Sequence, residues 1–158
     1  MLKVIQITSE FVDILQNIQR KSFMPLLNKY HDYHINPAME SVESIKEKID
    51  KTNTTAYIFQ LDNVNVGWVR VAELEDNTCK ISCLCVLPEY QNKGIAQEAL
   101  NIIEKNHSKA LKWILDTIHE EKRNCYLYEK LGYTRTGEVT RINEDMSIVG
   151  YVKHMDNK

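Results

Sequence analysis

The sequence predicts an α+β domain with a mixed, mostly antiparallel sheet of about six or seven strands, flanked by about four or five helices. Three observations carry this. The apolar period is helical up to Lys51 and alternates afterwards. Three consecutive strand-like runs follow, joined by short polar turns. The last of these, ending at Val86, is followed by a helix and then another strand, and such a crossover places two parallel strands side by side.

Taken in order, Lys3–Ile7 reads as a strand, with Thr8 or Ser9 as a helix cap. Phe11, Ile14, Leu15, Ile18 and Ser22–Phe23 recur at helical spacing, and Met24-Pro25 is expected to interrupt that helix. A second short helix is then expected over Leu26–His31. Val42, Ile45 and Ile49 form a further stripe, whose helix starts at Pro37 or at Ser41. Ala56–Leu61, Val66–Leu74 and Cys79–Val86 form an antiparallel meander around Asp62-Asn63 and Glu75-Asp76-Asn77. Gly94–His107 is helical, Trp113–Thr117 a strand, and Asn124–Leu131 a helix closed by Gly132 in the left-handed conformation. Tyr133–Thr140 and Met146–His154 pair as a hairpin. No linker divides the chain, so residues 1–158 are expected to form one domain, with a helical region over 1–52 and a core over 53–154.

Composition excludes several classes. Among 158 residues, 43% are apolar and only 5 are Gly and 3 Pro, which is incompatible with a disordered or collagen-like chain. Twenty Lys and Arg against 22 Asp and Glu give a formal charge of −2 with no long basic run, so no nucleic-acid partner is expected. No stretch approaches the roughly 18 apolar residues of a membrane helix, and Met1–Glu10 lacks a secretion signal. The four cysteines are therefore expected reduced, in the cytoplasm. Cys79, Cys83 and Cys85 stand at even spacings on one strand, which puts their side chains on one face. No metal site is expected. Cys83-x-Cys85 lacks paired C-x-x-C knuckles, and His31 and His34 supply only two ligands.

The chemistry-bearing stretch is Val86-Leu87-Pro88-Glu89-Tyr90-Gln91-Asn92-Lys93-Gly94-Ile95-Ala96. A buried strand ends, a loop turns, and a helix begins at a glycine. Free N–H groups in that first turn and the helix dipole make an anion site, and Lys93 adds positive charge. Neither G-x-x-x-x-G-K-[ST] nor G-x-G-x-x-G occurs among the five glycines.

Gln91-Asn92-Lys93-Gly94-Ile95-Ala96 resembles the Q/R-x-x-G-x-G/A motif of the GNAT superfamily of acetyl-CoA-dependent N-acetyltransferases. Asn124-Cys125-Tyr126-Leu127-Tyr128-Glu129-Lys130-Leu131-Gly132-Tyr133 is similar to the family's late helix. The resemblance spans about Asn53 to His154 and implies a GNAT-like fold with acetyl-CoA as cosubstrate. It implies that the Gln91–Ala96 amides, with Asn92, Lys93, Gly94 and Ile95, hold the pyrophosphate. Leu84, Cys85 and Val86 are then expected to pair with the pantetheine arm and the acetyl carbonyl, as an added strand would. Asn124 is expected to bind the arm or to cap its helix, and Tyr128 to protonate the leaving thiolate.

The implied activity is direct acetyl transfer to a primary amine in a ternary complex, on a small-molecule or peptide acceptor, by a monomer or homodimer. The alternative is a non-catalytic acyl-CoA-binding or sensing module. No general base is assigned: water, Glu73, His119 or a residue of the early helices remains open. Tyr30-His31-Asp32-Tyr33-His34 is expected near the acceptor, or as a partly exposed helix end.

Overall fold

Seven strands lie in one sheet in the computed structural model, which describes residues 1–155. They are β1 (Leu2–Ile7), β2 (Thr54–Leu61), β3 (Val64–Leu74), β4 (Thr78–Val86), β5 (Lys112–Ile118), β6 (Thr134–Asn143) and β7 (Met146–His154), in the order β1-β2-β3-β4-β5-β7-β6. Every neighbouring pair is antiparallel except β4 and β5. Helices α1 (Val12–Tyr30) and α2 (Val42–Ile49) cover one face, and α3 (Ile95–Asn106) and α4 (Lys122–Lys130) the other. The expected domain range includes 156–158, which lie outside the described residues.

Two apolar cores result, one on each face. Leu15, Ile18, Ile45, Ile58 and Trp68 fill the α1/α2 side, while Val69, Val71, Leu100, Ile103, Trp113 and Tyr151 fill the α3/α4 side. Alternation along β3 feeds both, since Trp68 faces one core and Val69 the other.

The first helices differ from expectation. Helix α1 runs without interruption from Val12 to Tyr30, through Pro25. Proline removes a bond to the carbonyl four residues back, here Lys21, and both residues lie on the exposed side of the helix, where losing that bond costs least. The buried stripe is Val12, Leu15, Ile18, Gln19 and Ser22. Phe11 and Ile14, expected inside, are 41% and 39% exposed. Both proposed starts of the next helix are used. Asn36 caps a short 3-10 turn over Pro37–Met39, and Ser41 Oγ then accepts from Ser44 N–H at 3.1 Å to cap α2.

The same-face reading of the cysteines fails at a β-bulge. Between the pairs Arg70↔Ser82 and Trp68↔Cys85, β4 carries Cys83 and Leu84 opposite the single residue Val69. Cys83 adopts φ 58°, a left-handed conformation. The extra residue inverts the alternation, so Cys79 and Ile81 enter the α3/α4 core while Cys83 and Cys85 face α1. All four cysteines are free thiols.

Candidate active site

The site is built from a fork in the sheet. Strands β4 and β5 pair only at Thr78↔Lys112, Cys79↔Trp113 and Lys80↔Ile114, then separate. Past the bulge, Cys85 is opposite Trp68, and Leu87 N–H donates to Val66 O at 2.7 Å. By the alternation of an antiparallel ladder, positions 85 and 87 spend their backbone groups on β3, and Leu84 and Val86 turn theirs toward β5. No strand meets them there. Val86 O accepts from Gln91 Nε2 at 2.9 Å.

A cleft of about 660 Å³ opens through this fork. One wall is β4 (Leu84, Cys85, Val86) and the loop into α3 (Tyr90, Gln91, Asn92, Gly94), with Ile95, Ala96 and Gln97 of the first helical turn. Asn92 and Gly94 take positive φ, 63° and 79°, which turns the chain sharply into the helix. A Cβ built on Gly94 would meet nothing within 4 Å, so the space above that backbone is open to a ligand. The opposite wall is α4, through Asn124, Leu127 and Tyr128, and α1 closes the third side through Ser22, Phe23, Pro25, Leu26 and Lys29.

Of the residues expected to bind the cofactor or to protonate the thiolate, all except Lys93 line this cleft, and Lys93 is exposed to solvent. Asn124 is not the cap of α4. The helix starts earlier, after Glu121, which leaves Asn124 in its first turn. Its C-terminus is closed as expected: Gly132 N–H donates to Glu129 O, Tyr133 N–H to Tyr128 O at 2.9 Å, and Gly132 takes φ 99°.

That turn fixes Tyr128. Its ring lies 6.0 Å from those of Tyr133 and Tyr151, and the residue is 7% exposed. Burial, with a smaller contribution from Cys125, pushes its phenol well above the ordinary value of 10. Cys85 on the facing strand is also sealed, and burial pushes its thiol up to about 12.

Sequence reasoning missed the charged part of the cleft. Glu121 Oε2 accepts from Lys29 Nζ at 2.8 Å and from Tyr30 Oη at 2.5 Å. Burial opposes the charge on Glu121, but those two hydrogen bonds outweigh it and hold the carboxyl below its usual range. Arg123 and Lys130 line the same cleft, so cations outnumber carboxylates there. No local pattern marks these residues, because α1 and α4 are about ninety residues apart and meet only in the fold. Ser22 was visible only as part of a helical stripe; its Oγ is sealed and has no hydrogen-bond partner among the described residues.

The Tyr30–His34 segment ends α1 and leaves it. Tyr30 is buried on Glu121, His31 caps the helix at φ 56°, and Asp32 is buried and accepts from Asn36 Nδ2 at 3.1 Å. Of the residues left open as a base, Glu73 stands at the opposite end of β4, 3.9 Å from His107 Nδ1. His119 is flanked by Arg135 Nη1 at 3.0 Å and Lys122 Nζ at 3.5 Å, and neither residue lines the cleft.

The sequence profile described as the acetyltransferase (GNAT) family matches residues 14–133, more than half of the chain. The chain belongs to the GNAT acetyltransferase family. No curated protein matches it by sequence. Solved GNAT structures share its fold. The PaiA N-acetyltransferase of Thermoplasma acidophilum, in complex with coenzyme A, superposes with a TM-score of 0.78 at 18% identity, covering 98% of this chain and 99% of that one. The ribosomal-protein-S18-alanine N-acetyltransferase of Escherichia coli gives 0.80 at 12% identity, covering 100% and 96%. The spermidine N-acetyltransferase of Vibrio cholerae, in complex with CoA and spermine, gives 0.77 at 16%, covering 97% and 95%. These likenesses carry the GNAT fold, with its mixed sheet and parallel β4–β5 pair. Among the described residues, no helix is long and apolar enough to cross a membrane.

Proposed function

We propose that this GNAT protein moves an acetyl group from acetyl-CoA directly to a primary amine. The observation that carries the reading is the fork. It offers backbone groups of Leu84 and the N–H of Val86 without a strand partner, a helix N-terminus at Gly94–Ala96, and a buried phenol at Tyr128, all on one cleft. Pyrophosphate fits the first turn of α3, where Gly94 leaves the backbone open and amides point outward. The pantetheine arm carries amides that pair with Leu84 and Val86 as an added strand would. Arg123 and Lys130 supply positive charge for the remaining phosphate. Asn124, in the first turn of α4, is within the same wall and is assigned to the arm.

Tyr128 is the proposed acid. A departing thiolate has a conjugate pKa of about 8.5, and a phenol held protonated by burial keeps its proton until that sulfur demands it. Cys85 is the thiol beside the path, but with its pKa pushed up to about 12 it stays protonated and cannot serve as an acyl carrier. This supports direct transfer. An alkylamine near pKa 10.4 must lose a proton before attack, and water in the open cleft is the proposed recipient. In this reading the region before residue 53 supplies the acceptor wall through α1, and residues 53–154 the cofactor side. Four free thiols fit a reducing cytoplasm.

The neighbours whose names print an acceptor differ between an alanine on a ribosomal protein and a polyamine, so the fold alone does not select one. The test is a panel of amines (polyamines, amino acids, aminoglycosides, peptide amino termini) with acetyl-CoA, reading free thiol and acetylated product. Thiol release that depends on one class of amine is expected. Tight acetyl-CoA binding with no turnover on any amine would instead make the chain an acyl-CoA sensor.

A further inference from the structure

Four side-chain polar atoms among the described residues are sealed from solvent without a hydrogen-bond partner: Ser22 Oγ, Trp68 Nε1, Arg70 Nη1 and Trp113 Nε1. Ser22 is the one of these residues that lines the cleft. It is 6% exposed and lies in the middle of α1, where a serine ordinarily returns its hydrogen bond to a carbonyl one turn back. Here that bond is absent, and the polar group within reach is the Cys85 thiol, a weak acceptor that the hydroxyl approaches without the geometry of a full hydrogen bond. The thiol of Cys85, also on the cleft wall, directs its own proton to Trp68 O at 3.9 Å. Phe23 and Leu26 of α1 and Leu84 of β4 add apolar lining to the cleft. A sealed hydroxyl with only a thiol beside it gains little for folding relative to alanine, so the residue is better explained by a stronger partner that arrives with the ligand.

We infer that Ser22 donates a hydrogen bond to the carbonyl oxygen of the bound acyl thioester. The inference rests on the acetyl-CoA reading above. A pantetheine arm laid along Leu84 and Val86 brings its thioester beside Cys85, and α1 presents Ser22 to that point from the acceptor side. A turn about χ1, the least costly motion a side chain has, presents the hydroxyl to the cleft. During transfer the amine lone pair forms the C–N bond and the C–S bond breaks. The thiolate takes the Tyr128 proton, the amine proton goes to water, and solvent reprotonates Tyr128. Negative charge develops on the acyl oxygen between these events, and a preorganised donor there lowers the barrier. Ser22 keeps its proton throughout.

The experiment compares binding of acetyl-CoA with that of S-ethyl-CoA, a thioether of similar size without the carbonyl, so no acceptor is needed. The unaltered protein is expected to prefer acetyl-CoA by about 3- to 10-fold, the scale of one neutral hydrogen bond. Ser22→Ala is expected to reduce that preference by about threefold or more, leave S-ethyl-CoA affinity within about twofold, and keep or raise the melting temperature. With an active amine in hand, kcat should fall by about 10²-fold. Ser22→Cys, similar in size and a weak donor, should behave as Ser22→Ala does and guards against a packing defect. Retention of the full preference in either folded variant overturns the assignment. So does a drop in melting temperature with an equal loss of affinity for both ligands, which marks a structural hydroxyl. If the unaltered protein binds neither thioester nor thioether, the acetyl-CoA reading itself fails and takes this inference with it.

Discussion

At the scale of single residues, the proposed chemistry turns on two groups, and both are governed by burial. Tyr128 holds its proton more tightly than a free phenol does, so as the proposed acid it remains loaded well into the alkaline range. Activity is then expected to rise with pH as the acceptor amine deprotonates, with no descending limb below about pH 10. A kcat profile that falls between pH 8 and 9 would assign the acid to some other group. Tyr128→Phe keeps the ring between Tyr133 and Tyr151 and is expected to lower kcat by about 10²-fold while acetyl-CoA affinity stays within a factor of three. Cys85 is the complementary case. A thiol pushed up to about 12 is one part in about 10⁵ thiolate at neutral pH, so intact-mass measurement after incubation with acetyl-CoA should show no acetylated protein. A stoichiometric acetyl adduct on Cys85 would replace direct transfer with a two-step route.

At the scale of elements, the fold tests how far local pattern reaches. The strand–loop–helix from Leu84 to Ala96 and the helix ending at Gly132 were legible because their geometry is local: a left-handed glycine, a first turn, a closing turn. The path of α1 through Pro25 was not, because its tolerance depends on which side of the helix faces water. The bulge at Cys83 was equally hidden, since nothing in Cys-Leu-Cys announces that two residues will oppose one. Its consequence is large. It inverts the strand, places Cys85 toward α1, and leaves Leu84 and Val86 facing the fork. Cys83 holds φ 58° while its thiol donates to Gln19 Oε1 at 3.0 Å. Cys83→Val adds a β-branched side chain to a left-handed position and removes that contact, and should destabilise by about 2 kcal/mol in urea unfolding. Glu40 ties the same region to α2. Burial opposes its charge, but bonds from Lys48, Ser44 and Gln19 prevail and lower its pKa. A carboxyl with a depressed folded value stabilises fully above its ordinary value of 4.5, and that contribution is lost as pH falls through the folded value. Urea midpoints should therefore decline below about pH 4.5, and Glu40→Gln should flatten that decline while lowering stability at neutral pH.

At the scale of the whole molecule, the sheet divides into a closed half and an open one. Strands β1 to β4 are paired along their lengths, whereas β4 and β5 share only the register from Thr78↔Lys112 to Lys80↔Ile114 before parting. The two cores on opposite faces hold the fork open, because α1 and α2 pack on β2 to β4 while α4 packs on β5. Opening a sheet in this way leaves polar backbone without partners, which is costly unless water or a ligand takes the place of the missing strand. If coenzyme A fills that place, its effect on backbone exchange is directional. The amides of Leu84 and Val86 and those of Ile95, Ala96 and Gln97 should slow on addition of acetyl-CoA. The amides of β2 and the β2–β3 pairing should not change, since they are already closed. Gly94→Val supplies the control. It forces a branched side chain into φ 79° and fills the open space above the backbone, so acetyl-CoA affinity should fall at least tenfold with the sheet intact. In that variant the ligand-induced slowing should vanish at both segments together at a fixed subsaturating concentration. If Leu84 and Val86 remained protected while the α3 amides did not, pantetheine and pyrophosphate would bind independently, and the fork and the helix N-terminus would be two sites rather than one.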